Sequence, residues 1–167
     1  GTYRAMEDAY RAGKLRAIGV SNFYPDRFID LYHFVDVKPA VNQIETHPFQ
    51  QQRQAHAILQ KYGVQHESWG PFAEGRKDLF QNPVLTGIGG KYGKSAAQVV
   101  LRFLIQSGVV VIPKSTHRER MEENFSVFDF SLSQEDMAAV QALDEGESAF
   151  FSHYDPDTVE WFMGLVR

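Results

Sequence analysis

The chain has 167 residues, 43% hydrophobic and 13% aromatic, enough to bury the core of one domain. Its formal net charge of −4, from 17 basic and 21 acidic residues, argues against a nucleic-acid surface, which needs a basic excess. The lack of cysteine excludes disulfides, a thiol nucleophile and thiolate metal ligation.

No apolar run approaches the ~18 residues of a membrane span, and no signal peptide is visible, so a cytoplasmic protein is expected. The chain starts Gly1-Thr2 without an initiator Met. Processing, cleavage, or a start partway into a longer protein would each explain that.

In chain order, Tyr3, Met6 and Tyr10 recur at helical spacing, and Gly13 ends that helix. Leu15 to Val20 reads as the first strand, with Ser21 and Asn22 directly after it. Pro25 suits the first turn of a helix burying Phe28, Leu31 and Tyr32. Val41 to Glu45 is the second strand, followed by Thr46-His47-Pro48. Ala55, Ile58, Leu59 and Tyr62 mark a third helix that Gly63 closes. Val64 to Trp69 is a weaker strand running into the breaker-rich loop Gly70 to Gly75.

Asn82-Pro83 starts a short helix, and the Ser95-x-x-Gln98 capping box opens another, carrying Ala96, Val99, Val100, Phe103 and Leu104. Val109 to Ile112 reads as a fully buried strand ended by Pro113. Thr116-x-x-Glu119 fits a capping box, so a helix is expected to start near Thr116. Ser133 to Asp136 begins a last helix with Met137, Val140 and Leu143. Periodicity then fades into a tail, residues 144–167, holding Phe150, Phe151, Tyr154, Trp161 and Phe162. The whole, residues 1–167, is expected to be a single domain, with β/α units over residues 1–143.

The stretch from Lys114 to Asn124 is the strongest candidate site. Free backbone N–H groups at a helix N-terminus, with Lys114, Ser115, Thr116 and Arg120, make an anion pocket suited to a phosphate monoester. Arg120, Glu123 and Asn124 share one helix face. A capped helix with solvated charge would explain the same residues, but other strand ends carry polar or aromatic groups too: Ser21 and Asn22, Gln43 and Glu45, and Trp69. Repeated strand–helix units imply parallel strands, either in a doubly wound sheet or in part of a (β/α)8 barrel. In both, such strand ends gather the function.

Gly87 to Ser95 looks like a phosphate loop but misses both glycine patterns by one residue, at Ile88 and at Tyr92. It reads as a helix end followed by a cap. His47 reads as a turn histidine with no base-orienting partner, and His66 as packed or exposed by alternation. Glu122 and Glu123 read most simply as solvated. Histidines at 33, 47, 56, 66, 117 and 153 show no ligand spacing, so no metal site is expected.

Gly19 to Phe23 (Gly-Val-Ser-Asn-Phe), Asn42 to Glu45 (Asn-Gln-Ile-Glu), Ser68 to Pro71 (Ser-Trp-Gly-Pro), and Ile112 to Thr116 (Ile-Pro-Lys-Ser-Thr) with Arg120, Glu123 and Asn124 together resemble the aldo/keto reductase family. Trp69 makes the chain most similar to the bacterial branch that includes 2,5-diketo-D-gluconate reductases. The resemblance implies a (β/α)8 barrel binding extended NADP(H). It puts Ser21, Asn22 and Gln43 on the nicotinamide carboxamide, Trp69 flat on the ring, and Gly70, Pro71, Phe72 and Glu74 over the pyrophosphate. Lys114, Ser115, Thr116 and Arg120 would take the 2′-phosphate, with Glu123 and Asn124 beside the adenine. The aromatic tail would close over a small carbonyl substrate.

The family's Asp-Tyr-Lys-His tetrad aligns with no residues here, so the resemblance is to the C-terminal half of the barrel and no catalytic residue is assigned. The expectation is a cofactor-binding half of an NADPH-dependent reductase that pairs with its missing half or with itself. A non-catalytic NADP(H)-binding regulatory module is the alternative. An unrelated phosphate-binding barrel would leave Trp69 and Gln43 unexplained.

Overall fold

The computed structural model describes residues 1–165. Its frame is one parallel sheet of β1 (Gly19–Ser21), β2 (Val41–Glu45), β3 (Gln65–Trp69) and β4 (Val110–Val111), hydrogen-bonded in the order β1-β2-β3-β4. The order follows the sequence with no reversal, so these strands lack the switch point of a doubly wound sheet. The helices are α1 (Thr2–Arg11), α2 (Pro25–Phe34), α3 (Arg53–Lys61), α4 (Pro83–Tyr92), α5 (Ala96–Gln106), α6 (Arg118–Phe125), α7 (Gln134–Gln141) and α8 (Pro156–Leu165).

Several ends form as their residues dictate. The Asn82 side chain accepts from the Val84 and Leu85 amides at 3.0 and 3.3 Å and caps α4. Gly93 ends that helix in the left-handed region (φ 65°). The Ser95–Gln98 capping box closes reciprocally at the start of α5, with bonds of 3.0 and 3.3 Å. The glycine-rich stretch is thus a helix end and a cap. Gly89 is required by packing, since a Cβ there would lie 2.3 Å from the Lys94 carbonyl oxygen.

Four expectations need correction. The first strand is only Gly19–Ser21, and Leu15, Arg16 and Ala17 are exposed, because no neighbouring strand pairs with them. The strand at 109–112 is short and not fully buried. Val109 is buried, but Val110 is 42% exposed and Ile112 48% exposed, as befits an edge strand. Helix α6 starts at Arg118, and no side chain caps it. Ser115 Oγ instead accepts from the His117 amide at 3.1 Å, a local turn that competes with the Thr116 cap. Finally, α7 is not the last helix, because Asp155 accepts from the Asp157 amide and the Thr158 hydroxyl and opens α8.

The core has two parts. One joins Phe49, Leu79, Leu85, Ile88, Val99, Val100, Phe103, Leu104, Val109, Leu132 and Val140, with α5 buried nearly all round. The other lies between α2, α3 and the sheet, around Phe28, Ile44, Ala55, Leu59 and Val64. On α1 the buried residue is Glu7, whose carboxylate accepts the Asp36 and Val37 amides at 2.9 and 2.8 Å. Burying it costs desolvation, which those two charge-assisted bonds offset.

His66, on β3, is buried beneath α3. Its Nε2 lies 2.7 Å from Thr46 Oγ1, and its Nδ1 lies 3.0 Å from His56 Nδ1. Desolvation first, then the neighbouring His56, pushes His66 down from 6.5 to about 3. Between those values the unfolded chain binds a proton that the folded chain refuses. The stability from neutral His66 is therefore complete above pH 6.5 and lost as pH falls toward 3. Urea unfolding followed from pH 7 to pH 4 should show stability falling at up to ~1.4 kcal/mol per pH unit from this group. His66→Gln should flatten that part of the profile, and an unchanged slope would contradict it.

Candidate functional site

The ends of β1, β2 and β3 share one sheet edge because the strands pair in register, Ser21 with Gln43 and Glu45 with Trp69. Ser21 Oγ and the Asn22 amide both donate to the Gln43 carbonyl, at 3.0 and 2.9 Å. Gln43 Nε2 donates to Glu67 Oε1 at 2.5 Å. Asn22 holds a left-handed backbone (φ 57°), which its short polar side chain tolerates. That conformation brings Asn22 Oδ1 within 2.7 Å of the Trp69 indole N–H. The indole is pinned at its nitrogen and flanked by Phe150 and Phe151, at ring separations of 5.2 and 6.0 Å. Among the described residues, the Asn22 NH2 group and the Gln43 side-chain carbonyl hold no hydrogen bond.

A cavity of about 580 Å³ lies between α6, the start of α5 and the loop after β3. Lys114, Ser115, Thr116, Arg120, Glu123 and Asn124 line it, as their spacing suggests, together with Phe72. Among the described residues neither Lys114 nor Arg120 has an ion-pair partner. Gly70, Pro71 and Glu74 lie outside this lining. That loop continues into an irregular 3-10 segment, Ala73–Gln81, in which Ala73, Glu74, Lys77 and Asp78 have positive φ. Glu74 is exposed, and Gly70 backs onto the Phe150 ring.

Sequence reasoning passed over Phe80, Ser95, Ala96, Ala97 and His117, which complete the lining. Phe80 packs on Phe72 at 5.7 Å. Glu123 is not simply solvated, since it accepts a short bond from the Ser95 hydroxyl. Gln98 donates to the Glu123 and Ser126 carbonyls at 3.1 and 2.9 Å. The cap of α5 thus carries α6 and its cavity-facing side chains. The capping box was visible in sequence, but a cap signals only its own helix.

His47 does have a partner. Its Nε2 lies 2.9 Å from Glu45 Oε1, and both side chains are buried. Burial opposes the Glu45 charge, but hydrogen bonds from His47, the Ser148 hydroxyl and the Ala149 amide outweigh it and hold the carboxyl below its usual value. The pair spans two residues around a strand end, and its remaining partners come from the tail, so no local pattern could announce it.

The aldo/keto reductase family model matches residues 1–145. The chain belongs to the aldo/keto reductase family. Glyoxal reductase of Bacillus subtilis is 47% identical over 146 residues, 87% of this chain and 52% of the relative. An aldo-keto reductase from a Medee basin deep-sea metagenome library superposes with a TM-score of 0.88 at 39% identity, over 90% of this chain and 56% of the other. A Bombyx mori aldo-keto reductase in complex with NADP gives a TM-score of 0.85 at 32% identity, over 95% and 53%. The chain spans about half the length of the curated relatives it matches. As in other members of the family, the fold is α/β with a parallel sheet.

Ser95 is the joint between core and cavity. Ser95→Ala should cost about 1 kcal/mol, in the range of a lost cap, read as a lower thermal midpoint. No loss of stability would show that the capping bond and the Glu123 contact are dispensable.

Proposed function

We propose that this chain is the cofactor-binding half of an NADPH-dependent aldo/keto reductase barrel. The observation that carries this reading is the pair of cations, Lys114 and Arg120, that line one cavity and have no ion-pair partner among the described residues. A 2′-phosphate would meet a planar guanidinium, an ammonium and the hydroxyls of Ser115 and Thr116 there, with Glu123 and Asn124 left for the adenine. The strand-end cluster fits the other end of the molecule. The Asn22 NH2 can donate to a carboxamide oxygen, and the Gln43 side-chain carbonyl can accept from its NH2, since neither holds a hydrogen bond among the described residues. Trp69, pinned by Asn22, offers a rigid face to the ring. Gly70, Pro71, Phe72 and Glu74 would cover the pyrophosphate. The bound NADPH supplies the hydride; these residues hold and orient its carrier.

Four parallel strands, in a chain half the length of its relatives, support a half barrel within a single domain, with residues 144–167 as the substrate-side tail. No catalytic residue is assigned in it. The substrate class we favour is a small aldehyde or ketone, a dicarbonyl included, since a relative is a glyoxal reductase. The unmatched tetrad also supports a second reading, a binding module without turnover; NADPH consumption with an aldehyde separates the two.

Arg120→Ala tests the phosphate assignment. It should weaken NADPH binding roughly 10- to 100-fold, the worth of one charge-assisted hydrogen bond, and change NADH binding little. Equal losses for both coenzymes would sink the assignment. The open β4 edge, with Val110 and Ile112 exposed, and the exposed Phe125–Phe128 pair support pairing with the complementary half or with a second copy. Size-exclusion chromatography with light scattering should find more than a monomer, and a stable, soluble monomer would count against pairing.

A further inference from the structure

We propose that Glu45 is a positioning residue. Its buried carboxylate, steadied by His47, latches the tail at Ser148 and Ala149 and so sets Phe150 and Phe151 against Trp69. The proposal rests on the reading of Trp69 as the platform for the nicotinamide ring and adds what fixes the width of that slot.

A carboxylate at the end of β2 that is only 3% exposed must be compensated for lost water. Two of its three hydrogen bonds come from more than one hundred residues away, from Ser148 Oγ at 2.5 Å and the Ala149 amide at 2.8 Å. The same Ser148 oxygen accepts from the Phe150 and Phe151 amides at 3.0 and 2.9 Å. Carboxylate, hydroxyl and two amides thus form one relay that orients both aromatic residues. His47 gives its Nε2 hydrogen to Glu45, while its buried Nδ1 has no partner among the described residues. Among the described residues the ring's one side-chain hydrogen bond is therefore to the carboxylate.

Upstream, the Glu145 amide donates to the Phe49 carbonyl at 2.9 Å and anchors the start of the segment. Nearer the latch, Arg53 meets Asp144 at 2.9 Å but is 61% exposed, and Arg76, also exposed, donates to the Ala149 carbonyl and lies 4.5 Å over the Phe150 ring; water and salt screen both. A cavity of about 520 Å³, lined by Tyr24, Gln50, Ser148, Phe150 and Phe151 among others, lies beside the segment. The tail therefore has room to swing, and the desolvated latch is what holds its depth.

The test uses the full chain with Trp161→Phe, leaving Trp69 as the sole indole. Without cofactor, Glu45→Gln should raise chymotryptic cleavage after Phe150 and Phe151 roughly 10-fold, the loss expected for one charge-assisted bond. Acrylamide quenching of Trp69 should rise with it, while thermal unfolding stays cooperative. Ser148→Ala should do the same, and it carries the test alone if the Glu45 variant does not fold. The double variant should add little to either single one, because both break one relay. Unchanged cleavage in both single variants, or effects that multiply in the double variant, would overturn the latch. NADPH binding is measured separately. If the parent chain does not bind NADPH, the cofactor reading fails while the protection data still decide the latch.

Discussion

The in-register parallel pairing of β1, β2 and β3 is the constraint on which the rest depends. It puts Ser21 beside Gln43 and Glu45 beside Trp69 at one sheet edge. A shift of one residue would turn every side chain of the strand to the other face. Gln43 would then leave Ser21 and Asn22, and the Trp69 indole would lose the Asn22 oxygen that holds it. The core enforces this register, since Ile44 on β2 is fully buried against Phe28, Leu59 and Val64. Hydrophobic burial thus sets the positions of polar atoms that contribute little stability themselves.

Two kinds of site are built on that frame. At the strand ends the side chains of Ser21, Asn22, Gln43 and Trp69 are neutral and directional, as the proposed contacts to an amide and a flat ring require. Around Lys114 and Arg120 they are charged and exposed, as the proposed phosphate contact requires. The second depends on α5, the most thoroughly buried helix, whose capping serine grips Glu123 and whose Gln98 holds two carbonyls at the end of α6. A rigid helix therefore supports a short one that has no buried residue of its own. The strained loop after β3 connects the two regions by sending Phe72 into the cavity and Arg76 over the tail.

Buried ionisable groups recur where segments distant in sequence meet. Glu7 ties α1 to the chain after α2, Asp136 accepts from Lys91 and Tyr92 to join α7 to α4, and Glu45 joins β2 to the tail. In each case a carboxylate takes donors from another element, which gives direction to contacts that apolar packing alone would leave free to slide.

The α/β alternation, the caps at Asn82, Ser95 and Ser133, the edge bearing Ser21, Gln43 and Trp69, and the cation-rich stretch from Lys114 to Asn124 can all be read from the residues alone. These are legible because spacing, capping and turn chemistry act over a few residues. The packed fold was needed to learn that Leu15 is exposed, that the run at Val109 stops at a half-open edge, that Ser115 displaces the expected cap, and that α8 follows α7. It alone paired His47 with Glu45, His66 with His56, and Ser95 with Glu123. A strand's length depends on its neighbour and a buried charge on its donors. In this chain those neighbours and donors often stand tens of residues away, beyond the reach of local pattern.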